Sequence, residues 1–318
     1  MSNDKYSQAH LEIAKMIGEP INYALPVPFE VAAIADVVTL EPGEKGYRFS
    51  ATETTADYIL TVSAGGKITP IEADVVADTV ISLTGYQSKL EWIEVNDILG
   101  SPDLGIFARR KEAIARGMDK NEVKAILDGI LANSVTPGVN CTTVSYASGD
   151  DIYDLIMKAK QAVEDYGDKY VLLVGTTVKN KIDTYDKDTG SSLNFDFRLE
   201  SRLNQMGIEV IKVFGLLDST AILDAAKFIL VAKNSHFQSG KPVKFIRRKI
   251  SADIAKLMGA DVTSAQRALI VNPTPVVHAT GSADAELKLA FGVYGYEQAT
   301  FVIPNPKAIC SCDATSAL

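Results

Sequence analysis

The chain is 318 residues long, 47% hydrophobic and 23% charged, with a formal net charge of −8; that suits a globular protein with a sizeable core, in one elaborate domain or two ordinary ones. The acidic balance argues against a surface built mainly to grip nucleic acid, which needs clusters of Lys and Arg. Cys141, Cys310 and Cys312 are too few and too odd in number for a disulfide scaffold and point to a reducing cytosol, the amino terminus lacks the apolar stretch of a signal peptide, and no run of about eighteen apolar residues marks a membrane span.

Residues 1–30 read as an arm. Ala9, Leu11, Ile13, Ala14 and Met16 give a short helical rhythm, which Gly18, Pro20, Pro26 and Pro28 then break. Glu41-Pro-Gly-Glu44 is a turn. Two strand-like runs follow, Asp57–Val62 and Thr79–Thr84, and between them lies Ser63-Ala-Gly-Gly-Lys-Ile-Thr-Pro70. The Gly65-Gly66 pair suits a tight turn, so the expectation is a long hairpin with a polar tip. Tyr58, Leu60 and Val62 alternate on one face of its first strand. Val80 is available on the second, with Ile81 and Leu83 facing the other way. A two-stranded ribbon is marginal alone in water, so that face needs another surface to lie on. Lys89–Val95 alternates Leu90 and Trp92, with the tryptophan expected as a packing anchor.

Ser101-Pro102 is a good helix start, and Gly117 is the natural residue to end the run Asp103–Arg116. Asp119-Lys-Asn-Glu122 predicts a capped restart, followed by a stripe of Val123, Ile126, Leu127, Ile130 and Leu131. The clearest amphipathic helix opens at Asp150 and buries Ile152, Leu155, Ile156, Ala159, Val163 and Tyr166, ending at Gly167. Tyr170–Val174 is a buried strand. Thr176 caps a short helix, and strands follow at Ile208–Val213 and Phe228–Ala232. This alternation describes a compact α/β or α+β unit. Lys244–Ile250 and Leu287–Tyr294 alternate as strands, Ser251–Asp284 carries no clear pattern, and Phe301–Ile309 is a last strand broken by prolines.

Little in the sequence carries chemistry. Gly65-Gly66 is followed by a strand rather than a helix, so it forms no phosphate-binding loop. There is no G-x-S-x-G elbow. His10, His236 and His278 are far apart and have no metal-ligand spacing. Cys310-Ser-Cys312 lacks the two-residue spacer of a redox or zinc pair. Asp186-Lys-Asp-Thr-Gly190 misplaces the glycine of a calcium loop and is read as a turn. Asn140-Cys-Thr142 fits a glycosylation pattern, but nothing suggests secretion. Lys244-Phe-Ile-Arg-Arg-Lys249 is read as a strand with one charged face, with a nucleic-acid contact as the rival. No catalytic, cofactor or metal site is expected.

Several stretches together resemble the major capsid proteins of tailed bacteriophages, the Hong Kong 97-type fold. "FARRKEAIARGMDKNEVKAILDGILAN" resembles the spine helix and its successor. The run from Asp150 to Gly190 resembles the axial-domain helix, strand and short helix, and "GIEVIKVFGLLDSTAILDAAKFILVAKN" the two strands after them. "AFGVYGYEQATFVIPNPKAIC" resembles the closing strands, with a Pro-x-Ala-Ile ending. The resemblance covers residues 30–312 in order and texture.

It implies an α+β Hong Kong 97-type fold with residues 1–30 as N-arm and 46–86 as an extended β-hairpin loop lying across a neighbouring subunit. Residues 31–45, 87–147 and 240–303 would form the peripheral domain, with a spine helix at 102–116. Residues 148–239 and 304–318 would form the axial domain. It implies a structural role without enzyme activity or cofactor: hexamers and pentamers closing into an icosahedral shell around double-stranded DNA, in a virion made in the host cytoplasm. Scaffold, portal and decoration proteins would be separate chains. Tyr58, Leu60, Val62, Lys67, Arg109, Arg110 and Lys111 are the expected inter-subunit contacts. At least one of the three adjacent basic residues should reach a neighbour's carboxylate. Lys67 is read as a solvated lysine at the tip, the alternative being a covalent link to another subunit. The rivals are an encapsulin-type nanocompartment shell, kept open by the helix at Ser7–Met16, and a cytosolic α/β enzyme.

Overall fold

The computed structural model describes residues 31–44, 46–49, 79–89, 91–94, 105–132, 141–185, 199–236, 240–249, 267–271, 276–280 and 286–318. The elements run β1 (Ala35–Leu40), β2 (Gly46–Phe49), β3 (Thr79–Ser82), β4 (Thr84–Gln87), β5 (Glu91–Glu94), α1 (Gly105–Leu131), β6 (Thr142–Val144), α2 (Ile152–Val163), β7 (Gly167–Val174), α3 (Thr176–Asp183) and α4 (Leu199–Gln205). They continue with β8 (Ile208–Lys212), β9 (Leu216–Leu217), β10 (Thr220–Ala221), β11 (Lys227–Ser235), β12 (Val243–Arg248), β13 (Arg267–Val271), β14 (Val276–Thr280), β15 (Glu286–Val302) and β16 (Ile309–Asp313).

Two sheets organise the chain. The five-stranded sheet has the order β6-β16-β11-β7-β8. The run Tyr170-Val-Leu-Leu-Val174 is apolar throughout because the sheet is covered on both faces. Tyr170, Leu172 and Val174 enter one core with α2, α3 and α4, while Val171 and Leu173 enter the other, against α1. On α2, the predicted face of Ile152, Leu155, Ile156, Ala159 and Val163 is buried, but the helix ends at Val163, short of Gly167, and Tyr166 lies half-buried in the turn before β7. Its N-cap is Asp151 rather than Asp150, and Asp151 and Asp154 form a reciprocal capping box. Gly175 rather than Thr176 occupies the N-cap of α3.

The seven-stranded sheet is built on β15, which is 17 residues long. Ala299 pairs with both Arg247 and Thr84, so β12 and β4 lie on opposite edges of β15. β13 and β14 continue the β12 edge and β5 continues the β4 edge. β1 lies parallel on the outer side of β12. The segment 251–284, unread from sequence, thus supplies two strands of this sheet. Thr142–Val144 pairs with β16 in the five-stranded sheet.

The two sheets share one core through α1. Val123, Ile126, Leu127 and Ile130 cluster with Val171, Leu173, Ile229 and Val231 of one sheet and Phe245 and Ala299 of the other. Here the structure corrects the sequence expectation. The helix predicted to stop at Arg116 runs on to Leu131 without a break. A mid-helix glycine costs only about 1 kcal/mol relative to alanine. Burying each of the large apolar side chains beyond it contributes roughly 1.5–3 kcal/mol. Ile114 and Ala115 are buried just before Gly117 and Met118 just after it, so the stripe is continuous across it. The expected start at Ser101 lies outside the described residues.

At the base of the ribbon, Thr79–Ser82 pairs antiparallel with Gly46–Phe49; Asp57–Val62, the strand expected opposite it, lies outside the described residues. Ile81 and Leu83, with Tyr47, pack onto Leu40, Ile246 and Val302 on the face of the large sheet away from α1. Before it, the turn at Glu41–Glu44 closes with Glu44 N–H donating to the Glu41 carbonyl at 3.3 Å and Gly43 at φ +98°. On β5 the buried side chain is Ile93, 1% exposed, not Trp92. Alternation fixes which residues share a face, not which face turns inward.

Two glycines of α1 should respond oppositely to alanine. At Gly117 an added Cβ meets nothing within 4 Å, so Gly117→Ala should stabilise the chain by about 0.5–1 kcal/mol. At Gly129 it would collide with the Phe301 ring, and Gly129→Ala should destabilise by roughly 1–3 kcal/mol. Urea unfolding midpoints of the two variants would check the signs.

Candidate assembly surface

Among the described residues three groups of side chains could carry function, and two of them are closed to solvent. The first surrounds Arg247. Its Nε donates to Glu122 Oε1 at 2.9 Å and its Nη2 to Glu122 Oε2 at 2.5 Å. The pair joins α1 to β12, with side chains 11% and 1% exposed. The guanidinium also sits 5.1 Å from the Phe245 ring centroid. Asp119 and Glu297 are buried as well. Tyr86, opposite Glu297 in register, has its hydroxyl pKa raised by burial first, then by Glu297 and Glu122. Such a fork–fork pair fixes the seat of a helix; it presents no reacting group to a substrate.

Lys244–Lys249 forms the expected strand over Val243–Arg248, but its charge is not confined to one face, since Arg247 lies on the same face as Phe245, toward α1. Arg247 is buried against Glu122. Arg248 donates to Gln298 at 2.9 Å and to the Glu44 carbonyl. Lys249 pairs with Glu41 at 2.5 Å. Three of the cluster's cations are therefore engaged within the chain, which weakens the rival nucleic-acid contact.

The second group is the thiols. Cys141, Cys310 and Cys312 are all free and buried. Burial pushes Cys141 and Cys310 up to about 12 and Cys312 up to about 11, so they stay protonated and inert at neutral pH. Among the described residues no group of His, Cys, Asp and Glu could hold a metal ion, and no helix is long and apolar enough to cross a membrane. His236 is exposed, with Nδ1 3.2 Å from the Asp165 carbonyl oxygen.

The third group is the surface itself. Arg109 and Arg110 are exposed on α1, with Arg110 already engaged in an interaction. The Lys111 side chain, and Tyr58, Leu60, Val62 and Lys67 entirely, lie outside what the structure describes. Among the described residues the exposed large hydrophobics are Val37, Tyr146, Phe214 and Leu216, at 41%, 37%, 46% and 58%. None of them was singled out from sequence. The signal available for the last two was Phe214-Gly-Leu-Leu-Asp-Ser219, apolar residues beside a two-residue polar turn. Asp218 and Ser219 adopt φ of +49° and +64° there, the primed-turn geometry of a tight hairpin.

No protein-family model and no curated protein matches the chain. Among solved structures the chain is similar to the mature capsid of bacteriophage PhiM1, at 12% identity and a TM-score of 0.56 over 92% of this chain and 89% of that one. It is similar to the capsid of the empty GTA particle, at 13% identity and a TM-score of 0.52 over 93% and 92% of the two chains. The capsid of cyanophage P-SCSP1u matches at 12% identity and a TM-score of 0.50 over 92% and 90%. The fold is the Hong Kong 97-type capsid fold, an α+β architecture, as the sequence resemblance implies.

Glu122→Gln should remove the carboxylate onto which buried Arg247 forks and destabilise the chain by roughly 3–5 kcal/mol. The joint replacement Glu122→Leu with Arg247→Met should recover most of that loss, because it removes both charges together. Denaturant unfolding of the single and double variants checks this.

Proposed function

We propose that the chain is the subunit of a closed protein shell, a major capsid protein whose copies form the hexamers and pentamers of an icosahedral phage head around double-stranded DNA. The observation that carries the reading is the extent of the structural likeness. The chain matches the PhiM1 capsid over 92% of its own length and 89% of that chain's, so the whole architecture corresponds, not one common domain.

In this reading the seven-stranded sheet and α1 belong to the peripheral domain, and the five-stranded sheet with α2, α3 and α4 to the axial domain. Residues 1–30 are the N-arm and 46–86 the extended loop. The ribbon is anchored on its own chain at Tyr47, Ile81 and Leu83. Tyr58, Leu60 and Val62 would then bury against a neighbouring subunit, each contributing about 1.5–3 kcal/mol that the free subunit does not gain. Lys67 stays in solvent at the tip, and at least one of Arg109, Arg110 and Lys111 meets a neighbour's carboxylate. The net charge of −8 agrees with a lining that confines DNA without gripping it. The role is structural rather than catalytic. The subunit is made in the host cytoplasm and ends in the virion, with scaffold, portal and decoration functions supplied by other chains.

Sedimentation velocity of the purified chain, with nuclease treatment of particles from infected cells, tests the proposal. The expected result is capsomers or megadalton particles, and nuclease-resistant DNA inside the latter. A stable monomer or dimer at every concentration would overturn it. Particles filled with a cargo protein instead of DNA would favour a nanocompartment.

A further inference from the structure

Three of the four exposed large hydrophobics share a geometry. One row of residues crosses the whole five-stranded sheet: Val144 pairs with Cys312, Cys312 with Phe228, Phe228 with Val174, and Val174 with Lys212. Val144 and Lys212 end that row on the two edge strands, β6 and β8. These two strands run in the same direction, since each is parallel to a neighbour, β16 or β7, and both neighbours are antiparallel to β11. Tyr146 lies two residues beyond Val144, and Phe214 two residues beyond Lys212. The sheet therefore carries an exposed aromatic residue just past the same end of each edge. With four inter-strand steps of about 4.8 Å, the two edges are about 19 Å apart.

Both projections are held in place. Leu216 sits on the β9–β10 hairpin, whose backbone Ile222 N–H donates to the Gly215 carbonyl at 3.2 Å. Lys120 of α1 donates to the Leu216 carbonyl at 3.3 Å, and Lys89 pairs with Asp218 at 2.5 Å. On the other edge, Gly149 N–H donates to the Tyr146 hydroxyl at 3.4 Å. A braced apolar side chain in water is a docking element whose ordering is already complete.

We infer that the Phe214–Leu216 hairpin of one copy packs against the Tyr146 edge of the next copy, a head-to-tail contact that repeats around a ring. This rests on the shell reading and names one of its contacts. Two different patches on opposite edges of one sheet suit a heterologous interface, and such an interface closes into a ring when the rotation between copies is right. A two-fold dimer would instead use one patch twice. Three side chains fall well short of the roughly 1,000 Å² that a stable isolated pair needs. The patch thus fits a ring, where every copy uses both edges and other contacts add to them.

The test is disulfide cross-linking of the full-length chain. Tyr146→Cys and Leu216→Cys are made singly and together; both sites are exposed, so the substitutions spare the core. The three native thiols are buried and serve as a silent background. The double variant, oxidised in assembled material, should give a ladder of linked subunits on denaturing gels. A mixture of the two single variants should give linked species, and neither alone should give any. Linkage within one chain is excluded, because disulfide Cα atoms sit less than about 7 Å apart and these two edges do not. Links in one single variant alone would mean a two-fold contact and overturn the inference, as would assembled particles with no links in the double variant. In both cases the shell reading would stand, whereas a chain that never assembles would remove the shell reading and this contact together.

Discussion

The apolar stripe of α1, buried between two sheets, is the constraint on which the rest of the architecture depends. Val123, Ile126, Leu127 and Ile130 are each 0–1% exposed and share one core with residues of both sheets. Neither sheet covers that face by itself. The Glu122–Arg247 pair then fixes where along the helix the large sheet sits, since a bidentate fork tolerates little sliding. Gly129 completes the seat by giving the Phe301 ring room against the helix. The two sheets consequently share one core, and in the proposed shell the contacts between copies would be built from what lies outside that core.

Local periodicity explains what was legible in the sequence. The α2 face shows its period within its own residues, and all five core positions from Ile152 to Val163 are buried as expected. The run Tyr170–Val174 reads as a doubly covered strand because no polar residue interrupts it. Where tertiary burial outweighs a local signal, the sequence misleads. Gly117 looks like a helix end because its neighbours cannot reveal that the stripe on either side meets the same core. Arg247 looks like one member of a single charged face because Glu122 lies far away in sequence. Trp92 and Ile93 differ only in which face of β5 turns inward, and that is decided by β15, not by β5.

The surface was less legible than the core. A basic triplet such as Arg109-Arg110-Lys111 draws attention in any sequence, yet Arg109 and Arg110 say little beyond being exposed on a helix. Phe214, Leu216 and Tyr146 drew none, because single exposed apolar residues are ordinary on protein surfaces. What distinguishes them is a row of backbone pairing that spans five strands from distant parts of the chain, which no window of sequence contains. The opposite holds for the ribbon: Tyr58, Leu60 and Val62 carry a clear alternation, but alternation says only that a face exists, not what it meets.

Hydrogen exchange followed by mass spectrometry, compared between dissociated subunits and assembled particles, tests most directly the claim that a self-sufficient body carries separate assembly elements. The account predicts that amides of α1 from Ile114 to Leu131, and of β7 and β11, are equally protected in both states. It predicts that the ribbon beyond its anchored base, residues 50–78, gains protection only in particles. If α1 becomes protected only on assembly, the body is not self-sufficient. If residues 50–78 are already protected in the free subunit, the ribbon packs on its own chain and is not an assembly element.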